Sequence, residues 1–349
     1  MIRQVLFSLF FVIWQYTFIY FTYLPYILFN KENNILLLTK ILGQSLVKML
    51  CIAGLNAKFY LCRTEQKIKE KMNEDISKID IIISNHTFTL DYFMIFCILK
   101  KYKIINFYGL IGTTVKNVPG AGLFMYLDDN IEINRNWDLD KDIITSQLDN
   151  IKINDKKQVI ILFPEGHRMS EIKLQEAKQF SLEKNIHKYN NLLVPKIKGL
   201  YTIVNHLNKS GRLGNIWDFS LIFPKYLQKE ASTIDVIKNS IGKVYVNIRT
   251  VDIKPNENYE EFKENIYNIW KIKDEIITNY KLFYYDKIYF GDKNTFIPNI
   301  IFSVLMTIFF IYLLTKKRGR QYYIFSIILS YILININIKK IKKNNLRIK

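Results

Sequence analysis

Hydrophobic positions divide the chain into three regimes. Residues 5–29 are almost wholly apolar and carry no charge. At about 20 residues per bilayer crossing, this run is long enough for a membrane helix or signal anchor. It is too long for a signal peptide and lacks the small-residue cleavage site. Residues 35–57 form a second apolar stretch, interrupted by Lys40 and Lys48. It fits either a tilted span or an interfacial helix whose lysines snorkel to water.

Between 58 and 293 the pattern changes to short apolar runs separated by polar helical periods. Runs at 81–84, 104–108, 131–133, 158–163, 192–196, 217–223 and 243–250 predict strands. Helical spacing at 91–100, 138–150 and 170–185 falls between several of them. Strands alternating with helices predict an α/β fold, with a mostly parallel sheet flanked by helices. Beyond it, 296–314 and 321–338 are two uncharged runs joined by the basic link TKKRGR. They read as a C-terminal hydrophobic hairpin. A fully crossing hairpin would put the basic link and the basic tail on opposite sides, against the usual gathering of cations on one side. A shallow hairpin avoids that conflict, and both arrangements fit. The resulting plan is an N-terminal membrane-anchoring segment (1–57), an α/β domain (58–295), the hairpin (296–338) and a basic tail (339–349).

Charge changes this picture in one respect. The formal net charge over 349 residues is +19, which by itself suits nucleic acid or a membrane surface. Ten of the cations lie at 316–320 and 339–349 without an intervening acid, which leaves +9 for the rest. Both clusters flank apolar runs, where cations meet anionic headgroups. No zinc finger, RNP-like strand or basic recognition helix is present. The partner implied is an anionic membrane surface and no nucleic acid. The three cysteines, Cys51, Cys62 and Cys97, form neither a metal spacing nor an even disulfide set, and free thiols fit a domain facing the cytosol. Cys97 falls in an apolar helical pattern and reads as core.

The chemistry concentrates in residues 79–91, IDIIISNHTFTLD. A buried-strand pattern stops at Ser84-Asn85, His86 follows, and Asp91 opens the next helical run five positions later. A carboxylate folded back onto one ring nitrogen fixes the tautomer and leaves the other nitrogen to accept a proton. No protein nucleophile accompanies the pair, so the attacking hydroxyl would come from the substrate. The same residues also suit a strand-ending Asn85, a helix-capping Asp91 and a structural histidine. A second apolar run, 159–163, ends in Pro164-Glu165-Gly166-His167-Arg168. Here Gly166 permits a tight turn, Arg168 offers a planar fork for phosphate, and Glu165 suits a hydroxyl or the arginine. An exposed ion pair on a turn fits these residues as well. Arg135, after 131–133, and Lys196, in VPKIKG (194–199), are further cations, either anion ligands or solvated surface charges. The glycines of VPGAG do not make a nucleotide fingerprint.

The blocks NHTFTLD (85–91), GLFMYLDDNIEINR (122–135), FPEGHR (163–168) and VPKIKG (194–199) resemble, in order and spacing, those of glycerolipid acyltransferases typified by 1-acylglycerol-3-phosphate acyltransferase. The surrounding sequence is most similar to the branch containing lysocardiolipin acyltransferase. The resemblance covers residues 75–250. His167 stands where the family has threonine, and Glu132 where it has an apolar or aromatic residue. The resemblance implies a membrane-bound enzyme that moves a fatty acyl group from acyl-CoA, as co-substrate, to the free hydroxyl of a lysophospholipid, most simply lysophosphatidic acid. His86 would be the base and Asp91 its orienting partner. Arg135, Glu165, Gly166, Arg168 and Lys196 would bind the acceptor, with no metal and no further cofactor. Remodelling of lysocardiolipin or lysophosphatidylinositol, and non-catalytic lipid binding on the same fold, are the alternatives. The location implied is an integral, multi-pass protein of the endoplasmic reticulum or a similar internal membrane, its site facing the cytosol.

Overall fold

Every residue of β2 (Ile79–Ser84) is buried, because the strand lies between two parallel neighbours and is covered on both faces. In the computed structural model β5 (Gln158–Leu162) pairs along one edge of β2 and β6 (Leu213–Ile222) along the other. Residues 58–288 are described, apart from 63–64, 89–90, 105, 114–129, 135, 154–155, 231–234, 236–240 and 254–256; residues 308, 312, 315–317 and 321 are described as well.

The other strands are β1 (Lys58–Cys62), β3 (Asn106–Gly112), β4 (Ile131–Ile133), β7 (Lys243–Val251) and β8 (Tyr285–Ile288). The sheet order is β4-β3-β5-β2-β6-β7-β1-β8. The first five are parallel; β7 turns antiparallel to β6, β1 runs parallel to β7, and β8 closes the edge antiparallel to β1. This is the mostly parallel α/β sheet that the alternation of runs predicts.

Strand periodicity sorts the β2 side chains onto two faces. Ile82 joins a core with α1 (Glu65–Met72) and α2 (Asp91–Lys101), through Ile68, Met72, Met94, Ile95 and Ile98. Cys97 packs in that core, as its helical spacing predicts. Ile79, Ile81 and Ile83 face the second core, built with α3 (Trp137–Asp149), α5 (Ile197–Lys209) and α6 (Tyr259–Thr278). Between these last elements, α4 (Glu171–Glu183) packs Leu174 with Met169 and Leu193 in a small separate cluster.

Several boundaries differ from the sequence expectation. The strand expected at 104–108 is 106–112, and β1, β8 and α6 were not anticipated. Residues 192–196 form no strand: the segment runs unladdered into α5. Pro195 has no N–H to give a ladder, and the Lys196 amide donates to the Pro164 carbonyl (2.8 Å) instead. Despite its charge, Glu132 lies in β4, paired with Ile111, and its amide donates to Gln147 Oε1 at 2.9 Å.

Residue contacts divide the chain into two units. One comprises 47–113 and 129–290 and contains the sheet; the other comprises 1–46, 114–128 and 291–349. The expected membrane segments within 1–57 and 296–338 fall almost entirely outside the described residues. Among the described residues, no helix is long and apolar enough to cross a membrane.

A buried ion pair marks the start of the central strands. Lys157 Nζ lies 2.7 Å from Asp80 Oδ1 with both side chains almost wholly covered, and Asp80 Oδ2 accepts from the Trp217 indole at 2.7 Å. Burial pushes the Asp80 carboxyl up, opposed by the Lys157 ammonium. Lys157→Met keeps the bulk but leaves the carboxylate uncompensated, which should cost about 3–5 kcal/mol in denaturant unfolding. A loss below about 1 kcal/mol, as for an exposed pair, would contradict this account.

Candidate active site

The site begins where β2 leaves the sheet. After Ser84, Asn85 adds one more rung with its side chain: Nδ2 donates to the Leu221 carbonyl and Oδ1 accepts the Leu221 amide, both at 2.9 Å. The chain then turns at once into α2. Asp91 Oδ2 accepts the amides of Thr87 (2.6 Å) and Phe88 (2.8 Å), tying off the turn. The same oxygen lies 3.2 Å from His86 Nδ1. A short loop and a carboxylate on the first residue of the helix therefore bring imidazole and carboxylate together within five residues. Asp91 is fully buried. Burial pushes its carboxyl up, and the His86 ring and the two amides oppose that shift.

The imidazole is stacked on Phe163, the residue after β5, with ring centroids 4.4 Å apart. Its side chain is 22% exposed, and among the described residues Nε2 makes no hydrogen bond. A carboxylate accepting at Nδ1 fixes the proton there and leaves the Nε2 lone pair facing outward. This arrangement can take a proton from a hydroxyl brought to the open side of the ring.

The segment after β5 wraps this histidine. Gly166 occupies the left-handed region (φ +69), and its amide donates to the Phe163 carbonyl at 2.9 Å. The turn directs Glu165 inward, where it is 2% exposed. Glu165 Oε2 accepts the His86 amide (3.4 Å), and the His86 carbonyl accepts the Met169 amide (2.7 Å). Burial pushes the Glu165 carboxyl well up, opposed mainly by the charge of Lys273. Lys196 lays its side chain beside Gly166, within 3.1 Å of the place where a Cβ would sit.

His86, Asp91, Glu165, Gly166 and Lys196 thus gather at the carboxyl ends of parallel β2 and β5, the edge where open α/β sheets place ligands. The Arg168 guanidinium is exposed and pairs with Glu230 at 2.9 Å. Arg135 lies outside the described residues. Among the described residues, no group of three or more His, Cys, Asp or Glu is arranged to hold a metal ion.

Sequence reasoning missed the charges beneath the site, Lys273, Asp218 and Arg249. Their signal was present: Lys273 interrupts the apolar stripe Phe262, Ile266, Ile269, Trp270, Ile276 and Ile277, and Asp218 interrupts the strand IWDFSLI. Opposite charges inside two apolar patterns are candidates for a buried pair.

Residues 63–206 match the family model described as Acyltransferase, a range that contains all seven residues singled out at the sequence level. The chain is similar to lysophosphatidylinositol acyltransferase 10 of Caenorhabditis elegans, with 24% identity over 57% of this chain and 52% of that protein. It is similar to a probable 1-acyl-sn-glycerol-3-phosphate acyltransferase 5 of Arabidopsis thaliana, with 23% identity over 57% of this chain and 53% of the relative. Lysocardiolipin acyltransferase 1 of Danio rerio shares 28% identity over 42% of this chain and 38% of its own length. The matches span about half of these relatives or less.

The Gly166 turn gives a direct test of the local geometry. Gly166→Ala should cost about 1–2 kcal/mol for the left-handed backbone and should also displace Lys196. Gly211 (φ +65), which has open space around it, supplies the control. If Gly211→Ala and Gly166→Ala lower unfolding stability equally, Lys196 does not pack as described.

Proposed function

Taking the acyltransferase-family domain at residues 63–206 as premise, we propose that this protein transfers a fatty acyl group from acyl-CoA to the free glycerol hydroxyl of a lysophospholipid. The acceptor this reading favours is lysophosphatidic acid, giving phosphatidic acid. The observation that carries it is the His86–Asp91 pair at 3.2 Å, on a partly exposed ring whose Nε2 makes no hydrogen bond among the described residues.

The reaction needs one base and good positioning. His86 Nε2 takes the proton of the acceptor hydroxyl as its oxygen attacks the thioester carbonyl. Asp91, ionised, steadies the imidazolium that forms. Collapse of the tetrahedral adduct breaks the carbon–sulfur bond, and the proton passes from His86 to the departing CoA thiolate. The products are the diacyl lipid and free CoA, and the histidine returns to its starting state. General-base help of this kind contributes about 10²–10⁴-fold. Holding hydroxyl and thioester in register supplies the rest.

The cations of these motifs suit the acceptor phosphate. Lys196 lies beside Gly166, Arg168 is exposed on the same turn and paired with Glu230, and Arg135 follows β4 in sequence. Both substrates carry long acyl chains, so the uncharged 5–29 run and the basic clusters at 316–320 and 339–349 support an integral membrane location facing an anionic surface. The names of two relatives favour a second reading, in which the acceptor is lysophosphatidylinositol or lysocardiolipin. All these acceptors share a phosphate and a free hydroxyl on a monoacylated backbone.

The test is transfer of labelled acyl-CoA by the full-length protein in membranes to a panel of lysophospholipids. Wild type should acylate lysophosphatidic acid, and His86→Ala should lower turnover by about 10²–10⁴-fold while remaining folded and in the membrane fraction. Near-normal turnover by a folded His86→Ala protein would remove the mechanism. Preference for another lyso-acceptor would replace the assigned substrate.

A further inference from the structure

Helix α6 carries a charge into the interior that a packing helix does not need. Lys273 is wholly buried. Its Nζ lies 2.6 Å from Asp218 Oδ1, 3.1 Å from the Phe219 carbonyl of β6 and 3.3 Å from the Ile83 carbonyl of β2. The Trp270 ring lies beneath the ammonium at 4.3 Å. Arg249, on β7, takes the other oxygen of the same aspartate, Oδ2, at 2.6 Å, and also donates to the Ile269 carbonyl of α6 at 2.9 Å.

Two cations on one carboxylate leave an excess positive charge. An uncompensated charge in a protein interior is costly, so a second anion is needed nearby. Glu165 fits that requirement. It is buried, it interacts electrostatically with Lys273, and its Oε1 has no hydrogen-bond partner. Burial pushes the Glu165 carboxyl well up, and the Lys273 charge opposes that shift. The ammonium thus holds the ends of β2 and β6, and Ile83 lies three residues before His86, whose amide donates to Glu165.

We propose that Lys273 is a positioning residue for acyl transfer: its ammonium, paired with Asp218, donates to the Ile83 carbonyl and ties α6 to the end of β2, so that together with Glu165 on the His86 amide it sets where the imidazole stands. This rests on the acyl-transfer reading given above. It also gives Glu165 an inward task, holding the backbone of the base rather than meeting the acceptor. Lys273 and Asp218 both lie outside the segment matched by the family model, residues 63–206.

The test uses the full-length protein in membranes with Lys273→Met, Glu165→Gln and the double variant. Two quantities are read: kcat and KM for labelled acyl-CoA and lysophospholipid, and the rate at which diethylpyrocarbonate modifies His86 relative to His206. The latter, on α5, pairs with Asp149 and serves as the internal reference. Lys273→Met should lower kcat about tenfold to a hundredfold, the scale of a slightly misplaced base, with little change in either KM. It should also raise the His86 labelling ratio several-fold. Glu165→Gln should do the same, and the double variant should be no worse than the more affected single one, because both changes release the same strand end.

If folded Lys273→Met keeps wild-type kcat and labelling ratio, Lys273 only packs the sheet and the proposal is overturned. Should Lys273→Met not fold, Glu165→Gln decides alone, and wild-type kcat with an unchanged labelling ratio overturns the proposal. A wild-type protein that acylates nothing in the panel defeats the acyl-transfer reading. The labelling ratio then still decides whether Lys273 positions His86.

Discussion

The Asp91 carboxylate is the interaction on which the site depends. One oxygen, Oδ2, ends the turn after β2 by accepting two backbone amides, and the His86 ring lies within reach of it. Hydrogen bonds to a charged group are worth about 1.5–3 kcal/mol each. Several together offset the cost of burying the carboxylate, whose other oxygen, Oδ1, has no partner. The group that ties off the turn into α2 is therefore also the group that orients the imidazole. Loop, helix start and ring tautomer share one determinant, so a change at Asp91 cannot disturb the chemistry without disturbing the turn.

The sheet supplies what this local device lacks. Asn85 extends the pairing of β2 with β6 by one rung, and the segment after β5 holds the His86 backbone from both sides through Glu165 and Met169. Parallel neighbours bring these loops to one edge because parallel strands end together. Beneath them lies an interior of ion pairs rather than hydrocarbon alone. Such pairs add little net stability over apolar packing, but removing one member is costly. Their arrangement here fixes geometry at the strand ends.

Legibility in the sequence followed the range of the interactions. β2 was readable because a strand buried on both faces is a continuous β-branched run. The His86–Asp91 pair was readable because five residues separate its members, so a strand end and a helix start bring them together. Residues 192–196 misled because three apolar residues before Pro195 mimic a strand. The stripe Ile197, Leu200, Ile203, Val204 and Leu207, which makes α5, lies just beyond, with Lys196 and Lys198 around its start. β1 and β8 are short strands, and their partners lie far away in sequence. Glu165 reads as an acceptor ligand in its motif because nothing local reveals that the Gly166 turn directs it inward. Its partners, His86 and Lys273, are both non-local.

The central claim is that His86 Nε2 meets the acceptor hydroxyl. The most direct measurement is a structure of the full-length protein holding a lysophospholipid and an acyl-CoA thioether, which cannot transfer its chain. The account predicts the acceptor hydroxyl oxygen at about 2.6–3.2 Å from His86 Nε2, with the thioether carbon on its far side and the phosphate among Lys196, Arg168 and Arg135. A hydroxyl bound against another side chain, with His86 turned away from both substrates, would contradict it.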